Sequence, residues 1–482
     1  MIPRKQPWFG APVLALSLLS ACAVGPDYEG PAARGATTDA IAANTPLTSE
    51  VAAPGSVTTR FWTGFDDAQL DALVDEALRA NRDLAQADAR LRMARAAARE
   101  SGFDRFPTVT MEAGHTEAQN AEVLAGPSPQ RVDYQDAGLN ALWELDFFGR
   151  LRRQQQAARA TAESVQADRD AAALLVAAET TRAYVELRGV QAQLEVARRN
   201  VDNQRETLEL TQSVLDAGRG TRGDVANARA QLAATRALIP SLEATERRSI
   251  SRLGVLTAQG SDAIAARLQT GGPIPLVPDQ ISVDDARSLL QRRPDVRAAE
   301  RSLAAATARV GVATADLFPR VNLLGSLGWA ATSVSHFGES DTDYFSVGPR
   351  LTWSAFDFGR VRARLHQAEA GSDIALAAYE QTVLLALEDT ENALVDYGRT
   401  RAQTAALEDA VDSAVEAAQL ARERYEGGIA SFLEVLDAER REIESRTNLA
   451  ASRTQTLSAL VRVYMALAGG VEPPAVEVAS TR

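Results

Sequence analysis

Residues 137–150 read Ala-Gly-Leu-Asn-Ala-Leu-Trp-Glu-Leu-Asp-Phe-Phe-Gly-Arg. Ala137, Leu139, Ala141, Trp143 and Leu145 alternate with Gly138, Asn140 and Glu144, and Asp136 extends the polar set backwards. A period of two is that of a β-strand with one oily and one polar face. Beyond Arg150 the period changes. Leu187, Val190, Leu194, Ala197, Val201, Gln204, Leu208, Thr211 and Leu215 recur every three or four residues, as in a helix packed along a narrow seam. From Arg150 to Leu215 is 66 residues, about 100 Å of helix at 1.5 Å per residue. The stretch thus predicts a strand that runs into a helix too long for an ordinary globule.

The same unit is written a second time. Trp143 through Phe148-Gly149-Arg150 matches Trp353 through Phe358-Gly359-Arg360, 210 residues on, and Phe106-Pro107 matches Phe318-Pro319, 212 residues on. Leu215-Asp-Ala-Gly218 with Asp224-Val225 matches Tyr425-Glu-Gly-Gly428 with Glu434-Val435. Three anchors in one order predict an internal duplication, too long in period for a solenoid. Repeat one is expected over 61–270 with a β-hairpin at about 106–145. Repeat two is expected over 271–470 with a hairpin at about 318–355, before a tail at 471–482.

The other hairpin segments alternate likewise. Val109, Met111 and Ala113 form one oily row, Val321, Leu323, Leu327 and Trp329 another, and Phe345, Val347, Leu351 and Trp353 a third, which Pro349 interrupts. Trp143, Trp329 and Trp353 lie near segment ends, where interface aromatics of a membrane barrel sit. A sheet packed on a soluble core is the alternative, since alternation alone does not separate the two. Outside the amino terminus the longest apolar run is the eight residues from Ala171 to Ala178. Any membrane-spanning part would therefore be a β-barrel. Four strands cannot close one, the smallest workable barrel having about eight; closure demands several copies.

A second seam runs through Val225, Ala228, Leu232, Thr235, Ile239, Leu242, Glu246, Ser249, Leu253 and Leu256, with a kink expected at Pro240. A third runs through Leu407, Val411, Ala414, Ala418, Ala421 and Tyr425. Residues 84–100 alone hold seven alanines, so these helices approach closely and leave polar surface to water. A hollow wall of helices fits better than a solid leucine-rich bundle.

Composition agrees. Apolar residues make up 45%, charged residues 24% and aromatics 5% of 482, too apolar for disorder and too poor in rings for a large conventional core. The net charge of −13 repels phosphate backbones and argues against nucleic acid. Lys5 is the only lysine, so no P-loop or Schiff-base lysine lies in the body of the chain.

Arg4 and Lys5 precede an apolar stretch from Trp8 to Leu19 that ends in Leu19-Ser20-Ala21-Cys22. This reads as a signal peptide, 1–21, because it is too short to span a bilayer. Cys22 is the only cysteine, which excludes disulfides and Cys-based zinc sites. Residues 22–60 read as an extended Pro/Gly/Ala/Thr-rich tether.

Gly218-Arg-Gly220-Thr-Arg-Gly223 has dinucleotide-loop spacing, but a seam helix precedes it instead of a strand, so a helix-hairpin turn is expected. His115, His336 and His366 lack ligand spacing, and no nucleophile–base constellation appears. No cofactor, metal or enzymatic activity is expected. Glu434 and Asp437 share a helical face with Arg440 and Arg441 following.

The Leu19-Ser20-Ala21-Cys22 run resembles a bacterial lipobox, and together with Cys22-Ala-Val-Gly-Pro-Asp-Tyr28, the doubled hairpin-and-helix unit and the run Tyr425 to Arg440 it resembles the TolC-type outer-membrane factors, in their lipoprotein, OprM-like (NodT) branch. The resemblance implies a mixed α and β fold: a trimeric 12-stranded outer-membrane β-barrel, four strands per chain, continued by a long periplasmic α-helical barrel. An equatorial collar would come from the chain ends and segment 271–290. It implies a passive exit duct of a tripartite efflux pump, with a periplasmic adaptor, an RND-type inner-membrane transporter and outer-membrane lipid as partners. Cys22 would carry the lipid. Leu433, Glu434, Asp437, Arg440 and Tyr425 would form the periplasmic gate, and Gly218, Gly220, Asp224, Gly427 and Gly428 the hairpin tips on which the adaptor docks. Three carboxylates about 6 Å apart around one axis would repel by roughly 3 kcal/mol per pair at an effective dielectric near 20. Arg440 is the expected counter-charge. A lipid-anchored periplasmic coiled-coil scaffold, or the duct of a metal-efflux or type I secretion system, stands as the alternative.

Cys22→Ser is expected to leave an uncut precursor. Mass spectrometry of the mature amino terminus checks this: an unlipidated start elsewhere in the wild type contradicts it.

Overall fold

The computed structural model describes residues 23–30, 52–54, 59–119, 131–269, 271–275, 281–283 and 286–468. Cys22, the signal peptide, most of the tether and the tail at 471–482 lie outside the described residues. In chain order the elements are β1 (Ala52–Pro54), α1 (Ala68–Ala80), α2 (Arg82–Phe103), β2 (Thr108–Gln119), β3 (Arg131–Leu145), α3 (Arg150–Asp216), α4 (Arg222–Leu256) and α5 (Ser261–Leu268). Then come β4 (Ile281–Val283), α6 (Ala286–Arg292), α7 (Pro294–Ala315), β5 (Arg320–Ala331), β6 (Asp343–Thr352), α8 (Phe358–Glu426) and α9 (Phe432–Ala466). Helices α2 and α7 are both 22 residues long and start 212 residues apart; α4 and α9 are both 35 residues long and start 210 apart. Strands β2 and β5 match in the same way, at 12 residues each.

The chain divides into two compact units, and each draws on both halves of the sequence. The first holds residues 23–30, Arg90–Gln166 and Ala298–Tyr379. Its sheet is antiparallel in the order β2-β3-β5-β6. Register decides what the alternation means. Met111 lies opposite Leu139, Leu139 opposite Leu327 and Leu327 opposite Phe345, while Asn140 lies opposite Thr110 and Ser326, and Ser326 opposite Ser346. All four oily rows therefore fall on one face. Leu142 and Leu324 pair with each other on the other face, an apolar spot among its polar groups. Pro349 lies on β6, an outer strand of the sheet, where a residue without a ladder N–H is tolerated.

The second unit contains the main core. Phe61, Trp62, Phe65, Leu70, Leu73, Tyr184, Leu253, Ile264, Tyr397 and Leu460 are among its buried residues, and the Phe61 ring stacks on Tyr464 at 5.2 Å. Strand β1 pairs in parallel with β4, Ala52 opposite Ile281, so the tether carries one short strand into the segment between the halves.

Most seam positions of α3 and α4 are buried as the spacing predicts, whereas Ile239, Leu242 and Glu246 on α4 are half-buried, and on α8 only Val411 and Ala418 are buried while Leu407, Ala414, Ala421 and Tyr425 are half-buried. On α3, Leu187, Val190, Leu194, Ala197, Val201, Gln204 and Thr211 are buried, although Leu208 and Leu215 are only half-buried and Thr207 takes the seam place beside Leu208. On α4, Val225, Ala228, Leu232, Thr235, Ser249, Leu253 and Leu256 are buried. Helix α4 continues through Pro240: the ring removes one ladder bond, and the Ser241 hydroxyl donates to Leu238 O at 2.8 Å in that turn.

Candidate functional site

The oily face of the sheet is uncovered in the single chain. Met111 is 77% exposed, Phe345 81% and Val347 70%. So large an exposed apolar surface marks an interaction with a membrane or a partner. Trp143 and Trp353 are anchored alike: each indole N–H donates at 3.0 Å to a backbone carbonyl of the segment before its hairpin, Arg105 O and Leu317 O. On the polar face Asn140 Nδ2 donates to Glu112 Oε2 at 2.9 Å.

Residues 23–30 are clipped to the end of this sheet. Val24 N donates to Phe148 O at 3.1 Å, and the buried Arg153 guanidinium holds Val24 O, Gly25 O and Asp27 Oδ1. Gly25, at φ +86°, sits where an added Cβ would lie 2.5 Å from Gly311 Cα. Tyr28 OH donates to Glu300 Oε1 at 3.1 Å, and Arg301 stacks 5.4 Å from its ring. Burial and the Glu300 charge raise the Tyr28 pKa. The described segment therefore starts, at residue 23, at the foot of the hairpins.

At the far ends of α3 and α8 stand the two hairpin turns. Gly218 (φ +70°) and Gly428 (φ +72°) adopt the left-handed conformation that stops a helix. Gly218 N–H donates to Leu215 O and Arg219 N–H to Val214 O; Gly428 N–H donates to Tyr425 O and Ile429 N–H to Arg424 O. Gly220 is crowded, since an added Cβ would lie 3.1 Å from Leu215 N, whereas at Gly427 it would meet only ordinary contacts, the nearest Glu423 O at 3.5 Å. The dinucleotide-like spacing is thus turn chemistry, as expected. Asp224 closes a capping box with Thr221, accepting from Thr221 N at 3.0 Å while Asp224 N donates to Thr221 Oγ1 at 3.1 Å. Glu434 does the same more loosely for Ser431, accepting from its N–H at 3.4 Å. Gly218→Ala and Gly428→Ala are each expected to cost about 1–2 kcal/mol. Gly260→Ala, at φ −67° and in open space, should cost less than half of that. Urea titrations followed by helix circular dichroism check the difference.

The residues expected at a gate are placed unequally. Tyr425 is half-buried, its ring 5.8 Å from Phe432. Burial and the charge of Asp224 raise its pKa, and a hydrogen bond with Thr211 partly offsets them. Tyr425 thereby joins the two turns. Leu433 is 60% exposed. Asp437 pairs with Arg441 at 2.8 Å, not with Arg440, because on a helix the i+4 neighbour lies closer to its face. Arg440 is exposed and has no ion-pair partner among the described residues. Glu434 faces Arg424 at 3.9 Å. Glu434, Asp437 and Arg441 line a cleft of about 560 Å³ with Ala414, Ala417 and Ala421.

Sequence reasoning missed Glu439. It is 5% exposed and accepts from Arg422 Nη2 at 2.7 Å and from Thr207 Oγ1 at 3.0 Å. Burial alone would lower the Arg422 pKa, but the bond to Glu439 and its charge leave it raised. The signal was present: Phe432, Val435 and Glu439 have seam spacing.

A family model described as outer membrane efflux protein matches this chain twice, over residues 73–259 and 286–469. The chain belongs to the outer membrane efflux protein family. Outer membrane protein OprJ of Pseudomonas aeruginosa is 33% identical over 97% of this chain and 97% of its own length. The toluene efflux pump outer membrane protein TtgI of Pseudomonas putida is 31% identical over 95% and 97%. A solved structure of the outer-membrane channel OprN superimposes with a TM-score of 0.86 at 40% identity, covering 93% of this chain and 99% of that one. The efflux protein described here is accordingly an outer-membrane channel component that extends into the periplasm.

Proposed function

We propose that three copies of this chain form the exit duct of a tripartite pump that expels small apolar molecules such as drugs or solvents. The observation that carries the reading is the sheet: four strands with an exposed oily face, an opposite polar face and two outer strands, β2 and β6, with open edges. Four strands from each of three copies give a 12-stranded barrel, and the oily face then meets lipid while the polar face lines water. An internal duplication accounts for the paired helix lengths and for the double family match. The long helices continue the duct as a helical barrel, and the core around Phe61 and Tyr464, with β1 and β4, forms the collar. Lipidated Cys22, one residue before the clipped segment, inserts its acyl chains beside the barrel foot.

In this reading the turns around Gly218, Gly220, Asp224, Gly427 and Gly428 dock a periplasmic adaptor. An RND-type inner-membrane transporter supplies the energy. Leu433, Glu434, Asp437, Arg440 and Tyr425 narrow the duct at that end. Relatives named for toluene and solvent efflux support the cargo class. Native mass spectrometry of the detergent-extracted protein tests the assembly: three chains are expected, and a monomer or dimer under all mild conditions contradicts it.

A further inference from the structure

Between α2 and α3, inside one compact unit and next to the sheet, lies a groove of about 800 Å³. Arg92, Arg95 and Arg99 line it from α2, and Arg159 and Glu163 from α3. Phe103 and Phe106 stand at its sheet end, 72% and 64% exposed. Glu163 is the one carboxylate in the lining, and Arg301 already holds it at 3.4 Å. Arg95 donates to the neutral Gln166 Oε1 at 2.5 Å. Arg92, Arg99 and Arg159 are exposed and have no ion-pair partner among the described residues. Four guanidinium groups therefore face one space that offers them no free counter-charge.

The groove opens on the side of the oily face. Arg150 Nε and Nη2 donate to Glu144 of the polar face, each at 2.8 Å, and Arg150 Nη1 donates to Gln154 at 3.2 Å. Gln154 and Glu163 lie nine residues apart on α3, about two and a half turns, so they point to opposite sides of the helix. From the oily face, Trp143 donates to Arg105 O, beside Phe106. Arg99 and Arg95 then lie about 6 and 12 Å below Phe103 along α2, within reach of a headgroup layer for side chains of this length.

The second repeat has a different occupant in the same place. Carried over the offsets of 212 and 210, Arg92, Arg95, Arg99 and Arg159 become Ala304, Thr307, Gly311 and Glu369. None of the four is basic, and residues 23–30 lie over this face: Gly25 presses on Gly311, and Tyr28 packs on the Ala304 cluster. The groove covered by the chain's own segment has lost its arginines. The open one has kept them.

We infer that the α2–α3 groove holds the phosphate headgroup of an anionic glycerophospholipid from the periplasmic leaflet, its acyl chains rising past Phe103 and Phe106 onto the oily face. Arginine offers paired N–H donors to phosphate oxygens. Aromatic side chains suit the boundary between headgroups and hydrocarbon, and a basic pocket at that boundary favours a headgroup with net negative charge. The inference rests on the assignment of the oily face to lipid; the groove is complete within one chain and does not depend on the number of copies.

Native mass spectrometry of the full-length protein in mild detergent, with phosphatidylglycerol and phosphatidylethanolamine added in equal amounts, tests it. Phosphatidylglycerol adducts should outnumber phosphatidylethanolamine adducts several-fold. Arg95→Gln with Arg99→Gln should remove that preference, whereas Arg95→Lys with Arg99→Lys should keep most of it. Arg229→Gln with Arg236→Gln, an equal loss of charge on the exposed face of α4, should leave it unchanged. Should the glutamine pair fail to assemble, Arg159→Gln alone reads the same groove and should weaken the preference. Equal adducts of the two lipids on the wild type, or an equal loss in the α4 variant, overturn the headgroup site. If Leu139→Arg still abolishes assembly in that case, the lipid-facing sheet stands without it; if Leu139→Arg assembles normally, the sheet assignment falls too.

Discussion

Arginine in place of Leu139 or Leu323 is expected to cost about 2–4 kcal/mol each near mid-membrane, and the two together should abolish the heat-modifiable oligomer. Leu139 lies between Met111 and Leu327, and Leu323 between Trp143 and Pro349, all on the oily face. A guanidinium there has no polar partner and faces hydrocarbon. Asn140→Arg and Asn322→Arg lie on the other face and should assemble at wild-type levels. Arginine at 140 would even stand beside Glu112, which Asn140 already bonds at 2.9 Å. The yield of unheated oligomer on denaturing gels checks all four. Equal assembly would remove the assignment of one face to lipid and one to water.

The second large effect is expected at the hairpin tip. Within one chain the Asp437–Arg441 pair is exposed, and an exposed helix pair contributes at most about 1 kcal/mol. Arg441→Ala should therefore change little. Asp437→Ala and Arg440→Ala act between copies in the proposed duct, where loss of one partner of a desolvated pair costs several kcal/mol. That exceeds the relief of ring repulsion, so the resting constriction loosens. Each variant should raise single-channel conductance and sensitise cells to large antibiotics, with an unchanged melting temperature. Glu434 also caps α9, so its charge is best removed as Glu434→Gln, since glutamine also serves in a capping box. Glu434→Gln with Asp437→Ala should abolish block by multivalent cations added from the periplasmic side. Wild-type conductance and block would place the constriction elsewhere.

What the sequence disclosed follows from locality. The strand faces and the helix seams were legible because a period of two or of three-and-four survives in the order of residues. The turns were legible too, since Gly218 and Gly428 stand where a left-handed residue must. Long-range polar contacts were not. Arg153 looks like one arginine among many, and its hold on Asp27 spans 126 residues. Glu439 occupies a seam position, yet its partners Arg422 and Thr207 come from two other helices. The β1–β4 pairing joins two three-residue strands, too short to show a period. Asp437 had two arginines within reach, and only geometry selected Arg441.

Conductance in a planar bilayer tests the account most directly. Purified protein is expected to insert as oligomers giving discrete ion-conducting steps, small at rest and larger in Asp437→Ala. Oligomers that insert and conduct nothing, in the wild type and in every tip variant, would contradict a water-filled duct and leave the lipid-anchored scaffold in its place.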